Sequence, residues 1–300
     1  MPTHILKAMA LATVVQTVAC GADQPTLDYS GGTFEQHLDL AGTMRDYIVH
    51  VPPDLDPSTP APVLFVFHGA EGSADGMMLI TWFNAEARRK GFVVVYPDSD
   101  GGRWDLAGLT DVALVDAIVE RVADRILIDR DRLLATGFSN GALMTIQLAC
   151  NRSDQVAGVG ILGGSIPAGL GCVFQKPIRA VFLLGDEDRQ FPFYEGSATI
   201  AGQLSAEASA DWWLDRNGCS SERTVVDLPD RLDDGTSIHR WDYSACPDSQ
   251  AVAFYEIRGG GHTWPGSPLK LSPSFGRKSQ ELHASSVIAD FLIATPGGGP

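Results

Sequence analysis

The stretch from Arg132 to Cys150, RLLATGFSNGALMTIQLAC, constrains this chain more than any other. Its short apolar run Leu133-Leu134-Ala135 predicts a buried strand, and Ala142 to Ala149, free of Gly and Pro, predicts a helix. Between them stands Gly137-Phe138-Ser139-Asn140-Gly141. A strand that turns directly into a helix forces its corner residue into a strained conformation, and a Cβ at either flanking glycine would clash. Ser139 is thereby held out on the corner. The helix behind it aims free N–H groups and a positive dipole end at the same place, which suits a negatively charged oxygen. That is the layout of an acyl-transfer site.

By chance alone a chain of this length and glycine content yields about 0.2 such G-x-S-x-G matches, so the remaining sequence must decide. Alternating strand and helix patterns do so. Thr33 to Leu40 and Arg45 to Val51 read as an antiparallel hairpin, and the proline-rich segment Pro52 to Pro60 as a loop. Continuous apolar runs at Val63–Phe67, Phe92–Tyr96, Val156–Leu162, Ile178–Leu184 and Val252–Ile257 read as strands covered on both faces. Helices are expected at Met77–Lys90, Asp111–Ile126, Ala206–Arg216 and Glu281–Ile293, and an edge hairpin at Thr224–Leu228 with Ser237–Tyr243. The expectation is an α/β fold: one domain over residues 33–294 with a mostly parallel, doubly wound sheet, helices on both faces and an N-terminal antiparallel hairpin. With 44% apolar residues among 300, the core is ample.

The formal charge of −15 and the lack of any basic cluster argue against nucleic acid or anionic membranes as partners. Residues 1–20 carry His4 and Lys7 ahead of an apolar stretch ending in Val18-Ala19-Cys20, the layout of a secretory signal too short to span a bilayer. Two exits stay open: cleavage after Ala19, or lipidation of Cys20, which would be the chain's one route to a membrane. Residues 21–32 read as a mobile linker and 295–300 as a flexible tail. Of five cysteines, the four beyond Cys20 (Cys150, Cys172, Cys219 and Cys246) allow three pairings, and their order favours two local bridges. The expected location is therefore secreted or extracytoplasmic.

In a doubly wound sheet, reactive groups collect at the carboxyl ends of strands. His68-Gly69-Ala70, Ser139, Asp188 and His262 all fall there. A serine needs a base and the base an orienting carboxylate, and Ser139, Asp188, His262 follow the chain order of the α/β-hydrolase triad. Of seven histidines, His262 alone follows three glycines at the end of the last strand. Asp188 is preferred to Asp186 and Glu187 because Phe191-Pro192-Phe193 promises an ordered loop behind it. Ala70 and Asn140 are the expected backbone donors of an oxyanion hole, with His68 in a structural role. Trp104 and Trp264 flank motif loops and could wall a substrate site, or equally pack on the core, and Phe138 is expected beside the nucleophile. No C-x-x-C or H-E-x-x-H spacing occurs, so no metal or cofactor is expected.

The ordered strings VFHGA, RWD, ATGFSNGALMTIQLAC, LLGDEDRQFPF, NGC and GGGHTWPG resemble the secreted polyhydroxybutyrate-depolymerase-like esterases, a family similar to the feruloyl and acetylxylan esterases. The resemblance runs from about Thr33 to Ile293. It implies Ser139 as nucleophile, Asp188 as acid, His262 as base, Ala70 and Asn140 as oxyanion donors, and bridges Cys150–Cys172 and Cys219–Cys246. Relatives often read H-G-T-x-D where this chain has Leu184-Gly185-Asp186-Glu187-Asp188, a change that adds negative charge and would disfavour acidic substrates. The implied activity is hydrolysis of feruloyl or acetyl esters of plant polysaccharide through an acyl-enzyme. Polyester depolymerisation is the alternative enzyme, and a non-catalytic binding protein anchored through Cys20 the alternative class. The ester substrate is the one partner expected, and the oligomeric state is left open.

Overall fold

The computed structural model describes residues 27–196, 200–243, 245–247, 251–269 and 271–293. Among these described residues ten strands form one sheet: β1 (Gly32–Leu40), β2 (Thr43–Val51), β3 (Ala61–Phe67), β4 (Val93–Pro97), β5 (Ile128–Phe138), β6 (Val156–Leu162), β7 (Arg179–Gly185), β8 (Thr224–Asp227), β9 (Ser237–Tyr243) and β10 (Val252–Arg258). Their spatial order is β1-β2-β4-β3-β5-β6-β7-β10-β9-β8. The six central strands, β4 to β10 in that order, are parallel, and an antiparallel pair flanks them on either side.

The central strands read as unbroken apolar runs because helices cover both faces. In β3, Val63, Phe65 and Phe67 pack toward α3 (Thr110–Ala123), α4 (Asn140–Asn151) and α5 (Ala206–Asn217). Leu64 and Val66 point the other way, toward α1 (Ala74–Thr81), α2 (Phe83–Lys90) and α6 (Ala284–Ile293). This period of two divides the core into two layers with the sheet between them. Two disulfides, Cys150–Cys172 and Cys219–Cys246, brace the α4 and α5 face. Among the described residues no helix is long and apolar enough to cross a membrane.

The structure departs from the sequence expectation in several places. The single helix expected over Met77–Lys90 is two, broken at Trp82, whose φ of 56° cannot continue a right-handed helix. Strand β5 reaches from Ile128 to Phe138 because Asp129 to Arg132, too polar to read as buried strand, still extends from Ile128, which pairs with Ala61. Helix α6 starts at Ala284 rather than Glu281, and α3 ends at Ala123 rather than Ile126. The linker expected over 21–32 is docked from Leu27 onward: Leu27 is buried, and the Tyr29 hydroxyl accepts a hydrogen bond from the Leu127 N–H. The signal, Cys20 and the 295–300 tail lie outside the described residues.

Candidate active site

Ser139 sits between β5 and α4 with φ 58° and ψ −118°. A positive φ on a residue with a Cβ costs on the order of 1–3 kcal/mol, and the surrounding backbone must enforce it. Two glycines make that possible. A Cβ on Gly137 would lie 2.2 Å from the Gly141 carbonyl oxygen, and one on Gly141 would lie 2.2 Å from the Phe67 carbonyl oxygen. The first contact brings helix α4 down onto its own strand; the second brings it onto the end of β3. The Ser139 N–H is held by the Leu162 carbonyl at the end of β6, at 3.1 Å.

Asp188 and His262 come together from the ends of β7 and β10. The Asp188 side chain is fully buried, and its Oδ2 accepts from His262 Nδ1 at 2.7 Å. Its Oδ1 accepts from the Gln190 and Phe191 N–H groups at 2.8 and 3.1 Å. Three donors thus converge on one carboxylate, which fixes its rotamer. An anion on Nδ1 selects the tautomer with the proton there and leaves Nε2 as an acceptor. Neighbouring acids do other work. Asp186 accepts from the Gly259 N–H at 2.7 Å and so closes the glycine loop that carries His262, while Glu187 is exposed, 3.9 Å from Arg277.

The His262 ring lies among three phenyl rings, Phe138 at 4.7 Å, Phe191 at 5.8 Å and Phe275 at 6.0 Å between centroids, all near parallel. Its backbone N–H is held by the Phe275 carbonyl at 2.7 Å. Phe138 is the residue before Ser139, so this stack ties the imidazole to the Ser139 corner. Gly163 is packed beneath both: a Cβ there would lie 2.8 Å from Phe138 Cε2 and 3.2 Å from His262 Cε1. Among the described residues no hydrogen bond joins the Ser139 hydroxyl to His262; contacts of this kind commonly tighten only when substrate is bound. An open cleft of about 430 Å³ borders the pair, with Glu187, Gln190, Ser274 and Phe275 in its walls.

The turn at His68-Gly69-Ala70 faces the same corner, since a Cβ on Gly69 would lie 3.5 Å from Ser139 Cβ. His68 is buried and fully occupied: Nδ1 donates to the Gly69 carbonyl at 2.7 Å and Nε2 accepts from the Ser99 N–H at 3.1 Å. Burial holds its pKa below the ordinary histidine value, so it is neutral and structural. No described residue engages the N–H groups of Ala70 and Asn140.

The aromatic wall suggested for Trp104 and Trp264 does not exist. Trp104 is 4% and Trp264 1% exposed, and each indole N–H is spent inside the protein, on the His68 carbonyl and the Ser285 hydroxyl respectively. Phe275 and Gly163 pack against His262 without having been picked out from the sequence, and Phe191, expected only to order the Asp188 loop, also stacks on its ring. Phe275 had no sequence signal, because it ends a three-residue 3₁₀ turn, Pro273–Phe275, too short to show a periodicity.

No family model matches the chain. It is 30% identical over 235 residues to feruloyl esterase C of Emericella nidulans, covering 77% of this chain and 80% of that one. With an Aspergillus terreus protein named "Probable feruloyl esterase C" it shares 30% identity over 277 residues, 90% of this chain and 93% of the other. Among solved structures, acetyl xylan esterase from Aspergillus awamori superposes with a TM-score of 0.54 at 15% identity, over 78% of this chain and 94% of that one. The last likeness is one of fold.

Proposed function

The chain belongs to the feruloyl and acetylxylan esterase family of α/β-hydrolases and is a carboxylic ester hydrolase, and we propose that it cleaves feruloyl or acetyl esters of plant polysaccharide through a Ser139-His262-Asp188 triad. The observation that carries the triad is the 2.7 Å bond between buried Asp188 and His262, stacked against the residue next to the strained Ser139 corner. His262 Nε2 takes the Ser139 proton as the hydroxyl oxygen attacks the ester carbonyl, and Asp188 stabilises the imidazolium. The Ala70 and Asn140 N–H groups receive the oxyanion, each worth about 3 kcal/mol of barrier. Collapse expels the alcohol, protonated by His262, and leaves an acyl-Ser139 ester. Water activated by the same imidazole then releases the acid and regenerates the serine.

The acyl and sugar specificity rests on the names of the relatives. The two disulfides support export to an oxidising compartment. The test is a panel of p-nitrophenyl acetate, methyl ferulate, acetylated xylan and a hydroxybutyrate oligomer, on wild type and Ser139→Ala. Cleavage of methyl ferulate or acetylated xylan that Ser139→Ala abolishes is the expected result. Preference for the hydroxybutyrate oligomer would overturn the substrate, and an active Ser139→Ala would overturn the triad.

A further inference from the structure

Two loops must be held at a fixed separation for an oxyanion hole to work, because the donors stabilise the developing charge only if they are already placed when it appears. One donor loop follows β3 and the other opens α4. Both meet a third segment, residues 98–105 after β4, and within it Trp104 bonds to each of them. Trp104 donates its indole Nε1–H to the His68 carbonyl at 2.7 Å, and its backbone N–H to Asn140 Oδ1 at 3.0 Å. Its ring is buried edge-on against Phe67 at 5.1 Å and lies 4.7 Å from the His68 ring. One arm therefore grips the strand end two residues before Ala70, and the other grips the residue that carries the second donor.

The segment holding Trp104 is itself anchored from below. Arg45 on β2 and Asp111 on α3 form an ion pair at 2.6 Å with both side chains 3% exposed. Arg45 Nη2 also donates to the Asp98 carbonyl at 2.9 Å, and Asp111 Oδ2 accepts from the Asp105 N–H at 2.6 Å. The pair thus holds both ends of the segment. Between those ends the Glu71 N–H meets the Gly102 carbonyl at 2.7 Å and the Ser99 N–H meets His68 Nε2 at 3.1 Å. A buried ion pair is a weak source of stability in itself. Here the two occupied Asp111 oxygens and Arg45 Nη2 act as a geometric reference that joins sheet, helix and loop.

We propose that Trp104 is a positioning residue for ester hydrolysis, setting the separation of the two oxyanion donors through its indole N–H on one loop and its backbone N–H on the other. The inference rests on the reading of Ala70 and Asn140 as those donors. It accounts for a large indole, with its nitrogen spent on a carbonyl, at a place where plain packing would need only a phenyl ring.

The test is Trp104→Phe, which keeps an aromatic ring against Phe67 and removes the indole N–H. On p-nitrophenyl acetate kcat should fall about 10- to 100-fold with KM within about twofold, as for misplaced rather than missing donors. Affinity for a short trifluoromethyl ketone, which adds Ser139 to give a tetrahedral oxyanion, should fall by the same factor. Affinity for the matching methyl ketone should not move. Near-ultraviolet circular dichroism reports the fold. If Trp104→Phe does not fold, Asn140→Ala removes the other arm while keeping the residue 140 N–H, and the same pattern is expected. An unchanged kcat, or equal losses for both ketones, overturns the inference while a Ser139-dependent wild-type activity leaves the triad standing. A wild type without Ser139-dependent activity overturns both.

Discussion

Replacing Asp188 by Asn tests which carboxylate commands His262. The Asp188 Oδ1 accepts two backbone N–H bonds, from Gln190 and Phe191, and Oδ2 accepts one from His262 Nδ1. An amide has one oxygen and one NH2, so it can satisfy only one of these sides. Turning the NH2 toward the two backbone donors would leave both buried N–H groups without an acceptor, at about 1–3 kcal/mol each. The oxygen therefore stays with Gln190 and Phe191, and the NH2 faces His262. The imidazole must then accept at Nδ1 and carry its proton on Nε2, where it cannot receive the Ser139 proton. The wrong-tautomer penalty in a Ser-His-Asp triad is about 10⁴ in kcat, or about 5 kcal/mol. Because two of the three bonds survive, thermal stability should change little. Steady-state kinetics on p-nitrophenyl acetate, with Asp186→Asn in parallel, decides it. Asp186→Asn keeps an oxygen for the Gly259 N–H and should stay within about tenfold of wild type. Asp188→Asn retaining more than about a tenth of wild-type kcat, or Asp186→Asn proving the more damaging, would refute the reasoning.

Gly141→Ala should be among the most damaging methyl additions, since its Cβ would stand 2.2 Å from the Phe67 carbonyl oxygen and 2.6 Å from that of His68. Loss of about 1–3 kcal/mol in denaturant unfolding and at least about a 100-fold fall in kcat are expected. Gly171→Ala, where a Cβ meets nothing within 4 Å, should change neither. His50 is buried on β2, bonded to the Thr33 hydroxyl at 2.9 Å, and burial lowers its pKa to about 4. The unfolded chain takes up this proton near pH 6.5 and the folded chain does not, so stability is lost as pH falls from there toward 4. Between pH 7 and pH 5 this single group should cost about 2 kcal/mol in urea unfolding, and His50→Gln should show a shallower dependence. An identical slope in the variant would exclude His50 as the cause.

How far the sequence reveals the fold depends on whether a feature is local. The apolar runs of β3, β4, β6, β7 and β10 are legible because burial on both faces leaves few polar residues in them, Glu256 of β10 being a buried exception. The break at Trp82 is not, because tryptophan has no preference for positive φ that would mark a stop in the sequence. The glycines at 137 and 141 announce a close approach without naming the partner; only the structure shows the Phe67 carbonyl there. Trp104 and Trp264 illustrate the limit. An indole is at home inside or outside according to whether its N–H finds an acceptor, and those acceptors, the His68 carbonyl and the Ser285 hydroxyl, lie 36 and 21 residues away. The Phe275 contact with His262 is of the same long-range kind.

The two outer strands of the sheet bear on how this molecule behaves in a crowd of its own copies. An unpaired strand edge is a template for another chain, and stacking of such edges starts fibrous aggregation. Here one outermost strand, β8, is only four residues long and ends in Asp227, and the other, β1, shows Glu35 and Asp39 to solvent. With a net charge of −15, copies approaching edge to edge would bring like charges together over ladders too short or too acidic to compensate. The parallel strands, where an added chain would find long apolar ladders, lie inside these guards and are never offered to a neighbour.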